Sequence, residues 1–267
     1  SLSLERPLRI AYLGPRATFT HMAGMQQFGL AAQYVPVESI KDVFGEVERE
    51  RVDYGVVPVE NSTEGVVNYT LDMFIDSDLK ITAEIMLEVS QNLMNRSGKL
   101  EDIRKIYTHP QVPGQCRQWL EKNVAGIQIL DAPSTARAAE MAKDDPEVGA
   151  IASEMAAILY GLQIVAKKIE DNPHNFTRFI VISRKPKGKT GRDKTSIMFS
   201  IKDKVGALHS MLTPFAEAGI NLNRLDARPS GRQVWDYVFF LDMEGHIEEP
   251  KVAQAIEQLR KDCMFLK

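Results

Sequence analysis

The sequence predicts an α/β protein with two lobes and a separate C-terminal unit. Up to about residue 170, short apolar strands alternate with amphipathic helices, a pattern typical of α/β folds with largely parallel sheets. Two strand-like segments, 79–89 and 176–182, have the character of crossovers between two lobes, with a ligand cleft between the lobes. A Lys-, Gly- and Pro-rich stretch, 184–194, then precedes a tail with its own order of elements. The predicted boundaries are 8–78 and 176–184 for lobe 1, 79–175 for lobe 2, 185–194 for a linker and 195–267 for the tail.

The composition excludes several classes of protein. The chain has 267 residues, enough for two domains, and its net charge of −3 carries no electrostatic signature of nucleic-acid binding. No apolar run approaches 18 residues, so no membrane span is expected. Cys116 and Cys263 lie far apart, which indicates a reducing compartment, and no metal-binding motif is present. The first residues, 1–7, lack an initiator Met and a signal-peptide core, so the sequence is interpreted as a possible piece of a longer chain.

The first lobe begins with strand, turn and helix. The segment Leu8–Leu13 is predicted to be a strand, Thr18 to cap a helix that ends near Phe28, and Gly29 to stop it. The exposed N–H groups at such a helix start bind anions, although an ordinary βα turn explains the pattern equally well. A second strand at 33–37 precedes a helix capped by Ser39.

A polar run follows the third predicted strand, Tyr54–Val59. It comprises Glu60 to Gly65, with a helix predicted from Val66. Open α/β sheets bind ligands beyond the carboxyl ends of their strands, and Asn61, Ser62 and Thr63 supply neutral donors suited to a carboxylate. The alternative is an Asx or Ser/Thr turn that caps the helix.

The second lobe contains further strands, followed by polar or capping residues. Its strands are predicted at 79–89, 103–108, 127–131 and 149–152, with extended chain at 162–169. The helix after Thr108 carries Gln115 and Cys116 side by side, so that one can face a cleft while the other packs. Ser134 and Ser153 stand before two more helices.

The segment Asp171–Phe179 is polar and turns abruptly into a buried strand. It places Asn175, Thr177 and Arg178 at the mouth of that strand, where rigid scaffolds hold chemistry. An amide, a hydroxyl and a guanidinium can together hold a small organic anion and orient a proton. The alternatives are a Thr chosen for its β propensity and an Arg178 that forms a structural ion pair.

The tail has the order βαββαβ of a ferredoxin-like fold. Its strands are predicted at 195–201, 220–228 and 234–243, its helices around 207–217 and 249–261, and the last residues as a strand. Leu208, Leu212 and Phe215 are expected on the buried face of the first helix. No catalytic set is evident, which favours a small-ligand sensor or a dimerisation module.

Four segments and the tail then resemble one family. The segments are Pro58-Val59-Glu60-Asn61-Ser62, Thr108-His109-Pro110-Gln111 with Gln115-Cys116, Ser134-Thr135-Ala136, and Asn175-Phe176-Thr177-Arg178-Phe179. In order and spacing they resemble prephenate dehydratase, and the tail resembles its ACT regulatory domain, which binds phenylalanine. The resemblance covers nearly the whole chain from Leu8 onward.

The resemblance implies a cytoplasmic enzyme of phenylalanine biosynthesis that converts prephenate to phenylpyruvate, water and carbon dioxide without a cofactor. It implies a fold like that of periplasmic binding proteins and a homodimer or homotetramer. Thr177 would be the main catalytic residue, supported by Asn61 and Gln115. The residues expected to bind the substrate are Ser62, Thr63, Thr18, Thr108, Asn175, Arg178 and Phe179.

The resemblance also implies feedback by L-phenylalanine. The expected effector-binding residues are Gly206, Ala207, Leu208, Asn221, Leu222, Asp226, Ala227, Arg228 and Pro229. The chain departs from the family pattern at Ala17, where Gly is usual, and in the segments 206–209 and 226–229 of the effector site. Arogenate dehydratase and a non-catalytic two-lobed binding protein remain alternatives, and the sequence leaves open whether a chorismate mutase domain precedes it.

Overall fold

A computed structural model describes residues 6–231 and 237–267. These residues form two compact units. The first contains the chain up to Met73 and Asp78–Lys185, and the second contains Phe74–Ser77 and Pro186–Lys267. Among the residues described, no helix is long and apolar enough to cross a membrane.

The elements alternate along the chain much as the sequence predicts. The strands are β1 (Arg9–Leu13), β2 (Gln33–Val37), β3 (Tyr54–Asn61), β4 (Gly65–Val66), β5 (Lys80–Glu88), β6 (Asn92–Asn95), β7 (Lys105–Thr108), β8 (Gln128–Asp131), β9 (Val148–Ala152), β10 (Gln163–Ala166), β11 (Phe176–Ser183), β12 (Lys194–Ile201), β13 (Leu222–Pro229), β14 (Tyr237–Glu244) and β15 (Cys263–Leu266). The α-helices are α1 (Phe19–Phe28), α2 (Ile40–Glu48), α3 (Asn68–Asp76), α4 (Val112–Gln115), α5 (Arg117–Asn123), α6 (Thr135–Ala142), α7 (Glu154–Tyr160), α8 (Ala207–Glu217) and α9 (Pro250–Arg260), and a 3-10 turn spans Leu100–Asp102.

Helix starts follow the predicted caps because capping is a local interaction. Thr18, Ser39, Ser134 and Ser153 each accept a hydrogen bond on the side-chain oxygen from the backbone N–H three residues ahead. The helix predicted from Val66 begins instead at Asn68, because Gly65–Val66 folds back as β4 and pairs with β3. The polar run after β3 is therefore a hairpin.

The first unit contains two mixed sheets, one for each lobe. Sheet A has the order β2-β1-β3-β11-β5 with β4 beside β3, and sheet B has the order β10-β6-β9-β7-β8. In sheet A β1 runs parallel to β2 and β3, whereas β11 runs antiparallel to β3 and β5. In sheet B β7 is parallel to β8 and β9, whereas β6 is antiparallel to β9 and β10. The expectation of largely parallel sheets is therefore wrong, because the strands next to the crossovers run against their neighbours.

The boundary between the lobes also differs from the prediction. The segment Lys80–Glu88 was expected to open lobe 2, but it pairs with β11 along its whole length at the end of sheet A. The alternating pattern of this segment predicts a strand without specifying its partner. The chain passes to sheet B between Glu88 and Asn92, and it returns between Ala166 and Phe176.

The cores of the two lobes consist of different residues. Lobe 1 packs aromatic and β-branched side chains under α1, among them Ile10, Tyr12, Val56 and Phe179. Lobe 2 packs the alanines of α6 against β9, which lets the helix approach the sheet closely. Ala17, from the turn after β1 of lobe 1, is buried in this lobe 2 cluster.

The second unit has the predicted βαββαβ order. Sheet C has the order β13-β14-β12-β15, all antiparallel, and α8 and α9 bury Met211, Phe215 and Val252 against one face. Leu208, expected on the buried face of α8, is 57% exposed because it lies in the first turn of the helix. The strand predicted at 234–243 is described from Tyr237, since 232–236, like 1–5, lie outside the described residues.

Candidate active site

Two carboxamides and one hydroxyl meet where β3 and β11 lie side by side. Asn61, the last residue of β3, is paired in register with Thr177 of β11. Asn61 Nδ2 donates to Thr177 Oγ1 at 2.8 Å and to Asn175 Oδ1 at 2.9 Å. Thr177 and Asn175 are only 9% and 4% exposed. The two segments that the sequence singled out thus form one polar cluster.

The orientation of the Asn61 amide is fixed from its other side. Asn61 Oδ1 accepts from the backbone N–H groups of Thr63 and Glu64, both at 2.9 Å, which closes the hairpin after β3 as an Asx turn. The amide nitrogen must therefore face Thr177. Because Thr177 Oγ1 accepts from Asn61, the hydroxyl is left to donate its own proton elsewhere.

Ser62 and Thr63 tie the hairpin to the segment that enters β11. Ser62 Oγ donates to His174 O at 3.2 Å and accepts from Phe176 N at 2.9 Å. Thr63 Oγ1 donates to Asn175 Oδ1 at 3.4 Å. Both residues therefore lie beside the cluster, and direct contact with a substrate stays a prediction.

Gln115 approaches the same hairpin from lobe 2. Its Nε2 donates to Glu64 Oε1 at 3.1 Å, and its Oε1 accepts from Gln91 Nε2 at 3.4 Å. The neighbouring Cys116 is fully buried, and burial, with smaller effects of Glu170 and Asp171, raises the pKa of its thiol to about 12. As expected for adjacent residues, one faces the hairpin and the other packs.

Arg178 forms a structural ion pair. Neighbouring residues of a strand point to opposite faces, so Arg178 points away from the side on which Thr177 meets Asn61. Its guanidinium lies 2.9 Å from Glu84 Oε2 and 3.4 Å from Glu60 Oε2, and the side chain is 12% exposed. Of the two interpretations of Arg178, the structure favours the ion pair over substrate binding.

Phe179 lies in the core. It is 2% exposed and packs with the lobe 1 cluster rather than beside the polar cluster. This placement does not favour its assignment to the substrate site, and contact with a substrate stays a prediction. Thr177 and Phe179 are two residues apart and therefore point to the same face of the strand. The alternation alone cannot show which of them is covered by a helix.

Thr18 and Thr108 donate their hydroxyl protons to the main chain. Thr18 Oγ1 donates to Leu13 O at 3.1 Å while capping α1. Thr108 Oγ1 donates to Ile151 O at 2.9 Å and the residue is 1% exposed. Each hydroxyl is thus bonded to the main chain of a strand, and a further role in substrate binding stays a prediction.

The turn after β1 is held by His21. The ring accepts a hydrogen bond on Nδ1 from Ala17 N at 3.0 Å and stacks on Tyr12 with centroids 4.5 Å apart. Burial, and secondarily Arg16, lowers the pKa of His21. Ala17 has φ 63°, a left-handed conformation that favours Gly, and its carbonyl accepts from Ser153 Oγ of lobe 2 at 3.3 Å. This turn is a contact between the lobes.

Sequence reasoning did not identify Glu64 and Gln91, the two residues that hydrogen-bond to the Gln115 amide. Glu64 was noted only as part of a polar run, and Gln91 was not singled out, although it lies where the chain crosses to lobe 2. Gln91 is 3% exposed, and a buried amide in a crossover is the signal that points to it.

The predicted effector residues divide between two ends of α8. Gly206 caps the helix with φ 78°, followed by Ala207 and Leu208. Asn221 and Leu222 follow the other end, and α8 has 11 residues, or about 16 Å. The remaining predicted residues, Asp226, Ala227, Arg228 and Pro229, lie on β13, which is at one end of the order of sheet C.

Fold and site define the chain as a two-lobed α/β protein that carries a polar cluster at the adjoining ends of two strands, followed by a C-terminal βαββαβ unit. The prephenate dehydratase family model matches residues 10–187, and the ACT domain model matches residues 195–261. The chain belongs to the prephenate dehydratase family.

Relatives and solved structures agree with this membership. The bifunctional chorismate mutase/prephenate dehydratase of Aquifex aeolicus is 51% identical over 266 residues, which cover 100% of this chain and 74% of that protein. The structure of prephenate dehydratase from Arthrobacter aurescens in complex with L-Phe has a TM-score of 0.86 at 34% identity, over 97% of this chain and 88% of that one. GqqA, described as a novel type of quorum quenching acylase, has a TM-score of 0.86 at 28% identity, over 97% and 95%.

Proposed function

We propose that the protein catalyses the decarboxylating dehydration of prephenate to phenylpyruvate. The observation that carries this proposal is the contact between Asn61 Nδ2 and Thr177 Oγ1, 2.8 Å long, in a chain of the prephenate dehydratase family. It places one hydroxyl donor in a fixed orientation at the end of a buried strand.

The reaction needs one proton and a route for one electron pair. The ring carboxylate leaves as carbon dioxide, its bonding electrons enter the ring, and the C–O bond to the ring hydroxyl breaks. The departing hydroxide takes up a proton and leaves as water. The ring becomes aromatic, which drives the reaction, so the protein has to align the two leaving groups and assist the hydroxide.

Thr177 is the proposed donor to the departing hydroxyl. A Thr hydroxyl is a very weak acid, so donation has to be concerted with C–O cleavage rather than precede it. Oγ1 gains partial negative charge as its proton moves, and Asn61 Nδ2 already donates to that oxygen at 2.8 Å. A fixed donor aimed at developing charge lowers the barrier without reorganisation.

Gln115 is proposed to bind the substrate from lobe 2. Its Nε2 group faces the hairpin that carries Asn61, so a substrate between the lobes would meet an amide donor opposite Thr177. Closure of the two lobes around the substrate would exclude water from the reacting carbon atoms.

An acylase activity like that described for GqqA is less well supported by the cluster. A hydroxyl nucleophile needs a neighbouring base that accepts its proton. The neighbour of Thr177 Oγ1 is the amide nitrogen of Asn61, which is a donor. This arrangement favours proton donation by Thr177 over its activation as a nucleophile.

Regulation is proposed to occur through the ACT domain. The relative from Arthrobacter aurescens was solved with L-Phe, which supports L-phenylalanine as the effector here. Because the predicted effector residues divide between two ends of α8, a second copy of the chain would complete the site. We therefore propose a homodimer or homotetramer. A biosynthetic enzyme of this family is expected to act in the cytoplasm.

The test is a kinetic assay in which phenylpyruvate formed from prephenate is measured by its ultraviolet absorbance in base. Wild type should turn over, and Thr177→Ala should lose about two or more orders of magnitude in kcat. Thr82→Ala is the matched control, because Thr82 lies in the same sheet and its hydroxyl donates to Val181 O. L-phenylalanine should lower the wild-type rate.

Two results would change the assignment. Turnover of arogenate in preference to prephenate would make the protein an arogenate dehydratase. Binding of prephenate without turnover of either compound would favour a non-catalytic two-lobed binding protein.

A further inference from the structure

Glu64 connects the two halves of the proposed active site. On the lobe 1 side, its backbone N–H donates to Asn61 Oδ1 at 2.9 Å, on the same carboxamide whose nitrogen holds Thr177. On the lobe 2 side, its carboxylate accepts from Gln115 Nε2 at 3.1 Å. One residue thus touches both Asn61, at the end of β3 in lobe 1, and Gln115, at the end of α4 in lobe 2.

The Glu64 carboxylate fixes the orientation of the Gln115 amide. An ionised carboxylate has acceptors only, so Gln115 has to present Nε2 to Glu64 and turn Oε1 toward Gln91. Gln91 Nε2 lies 3.4 Å from that oxygen. The Gln115 amide is therefore held at both ends.

Gln91 is itself rigidly placed. It is 3% exposed, its N–H donates to Glu170 Oε2 at 2.9 Å, and its carbonyl accepts from Ile169 N at 2.9 Å. These bonds join the two chain segments that cross between the lobes. The orientation of Gln115 is thus set by the crossover on one side and by Glu64 on the other.

We propose that Glu64 is a positioning residue, which orients the Gln115 amide toward the substrate and couples it to Asn61. The proposal rests on the function proposed above. A substrate group that uses Gln115 Nε2 competes with the Glu64 carboxylate, whose negative charge also faces an anionic substrate. Glu64 therefore affects both the orientation of the donor and the affinity for the anion.

The alternative is that Glu64 is a solvated charge at the tip of an exposed hairpin. Under that alternative its removal changes neither Gln115 nor turnover. Glu38 is the matched control, since it is an exposed glutamate of the same lobe in the loop between β2 and α2.

Steady-state kinetics on prephenate provide the first test. Glu64→Ala should lower kcat/KM about tenfold, whereas Glu64→Gln, which keeps an acceptor oxygen, should stay within about threefold of wild type with a lower KM. Glu38→Ala should match wild type. In a Gln115→Ala background, Glu64→Ala should change kcat by no more than about twofold further, because its effect on turnover acts through Gln115. Effects that multiply in the double variant would overturn the proposal.

The side-chain NH₂ resonances of Gln115 provide a second test that does not depend on activity. They are assigned by their loss in Gln115→Ala, and they should move in Glu64→Ala but not in Glu38→Ala. Unmoved resonances would overturn the proposal even if wild type turns prephenate over. If the resonances move and wild type is inactive, the proposed function fails while the contact stands.

Discussion

Asn61 and Thr177 are 116 residues apart in sequence, yet the amide nitrogen of one donates to the hydroxyl oxygen of the other at 2.8 Å. The contact exists because β11 returns from lobe 2 and pairs with β3, which puts the two residues opposite each other. The direction of this hydrogen bond, from amide to hydroxyl, leaves the Thr177 hydroxyl proton available for donation to another group. The proposed mechanism depends on that direction.

Replacing the amide donor of Asn61 by an acceptor of the same size should lower activity without creating a cavity. In Asn61→Asp, a carboxylate oxygen replaces the amide donor, accepts the Thr177 proton and disfavours negative charge on Oγ1. We expect kcat to fall about 10²–10³-fold, as for loss of one donor to a developing anion. The measurement is phenylpyruvate formation, with far-ultraviolet circular dichroism as the control for folding. A variant as fast as wild type would show that the Asn61 amide does not stabilise the transition state.

Arg178 should matter for stability more than for chemistry. Arg178→Met removes the partner of Glu84 and Glu60 on the side of β11 away from Thr177. We expect the free energy of unfolding to fall by about 1–3 kcal/mol, because the charged hydrogen bonds of a largely buried guanidinium are lost. Urea unfolding measures this loss, and kcat at a permissive temperature should remain within about threefold. A large loss of kcat in a variant of unchanged stability would return Arg178 to the active site.

His21 should make stability fall at acidic pH. Burial lowers its pKa below the ordinary 6.5, so the folded state favours the neutral ring, whose Nδ1 accepts from Ala17. The contribution to stability is present above pH 6.5 and is lost as the pH falls below that value, because the unfolded chain takes up the proton first.

The control for His21 is His21→Gln, which keeps an acceptor but does not titrate. Urea midpoints measured from pH 8 to about pH 5 should fall more steeply for wild type than for this variant. Parallel curves would mean that His21 does not contribute to the acid sensitivity.

Cys116 should be unreactive in the folded protein. It is fully buried and its pKa is raised to about 12, so almost no thiolate forms at neutral pH. Iodoacetamide at pH 8, followed by peptide mass spectrometry, should leave Cys116 unmodified in the native protein and modify it after unfolding in guanidinium. Rapid native labelling of Cys116 would contradict its placement in the lobe 2 core.

Local patterns in the sequence predicted the fold well. Caps such as Thr18 and Ser153 depend on residues three positions apart, and strand or helix character depends on periodicity within one segment. Pairing between distant segments is not encoded locally. The segment Lys80–Glu88 was therefore identified as a strand but assigned to the wrong lobe.

The site was predicted less completely than the fold. Thr177, Asn61 and Gln115 were singled out because they match family motifs, and the structure brings the first two together and places the third against the same hairpin. Phe179 belongs to the same motif, but its neighbours are core residues that only the packing of α1 reveals. The contact of Glu64 with Gln115 joins the two lobes, and no local pattern in the sequence predicts it.

The most direct test of the central claim compares Thr177→Ser with Thr177→Val. Serine keeps the hydroxyl that Asn61 holds, whereas valine keeps the shape and removes the donor. The measurement is kcat for phenylpyruvate formation from saturating prephenate. We expect Thr177→Ser to remain within about tenfold of wild type and Thr177→Val to lose at least about a hundredfold. Equal rates for the two variants would contradict the claim that the Thr177 hydroxyl assists the departing hydroxide.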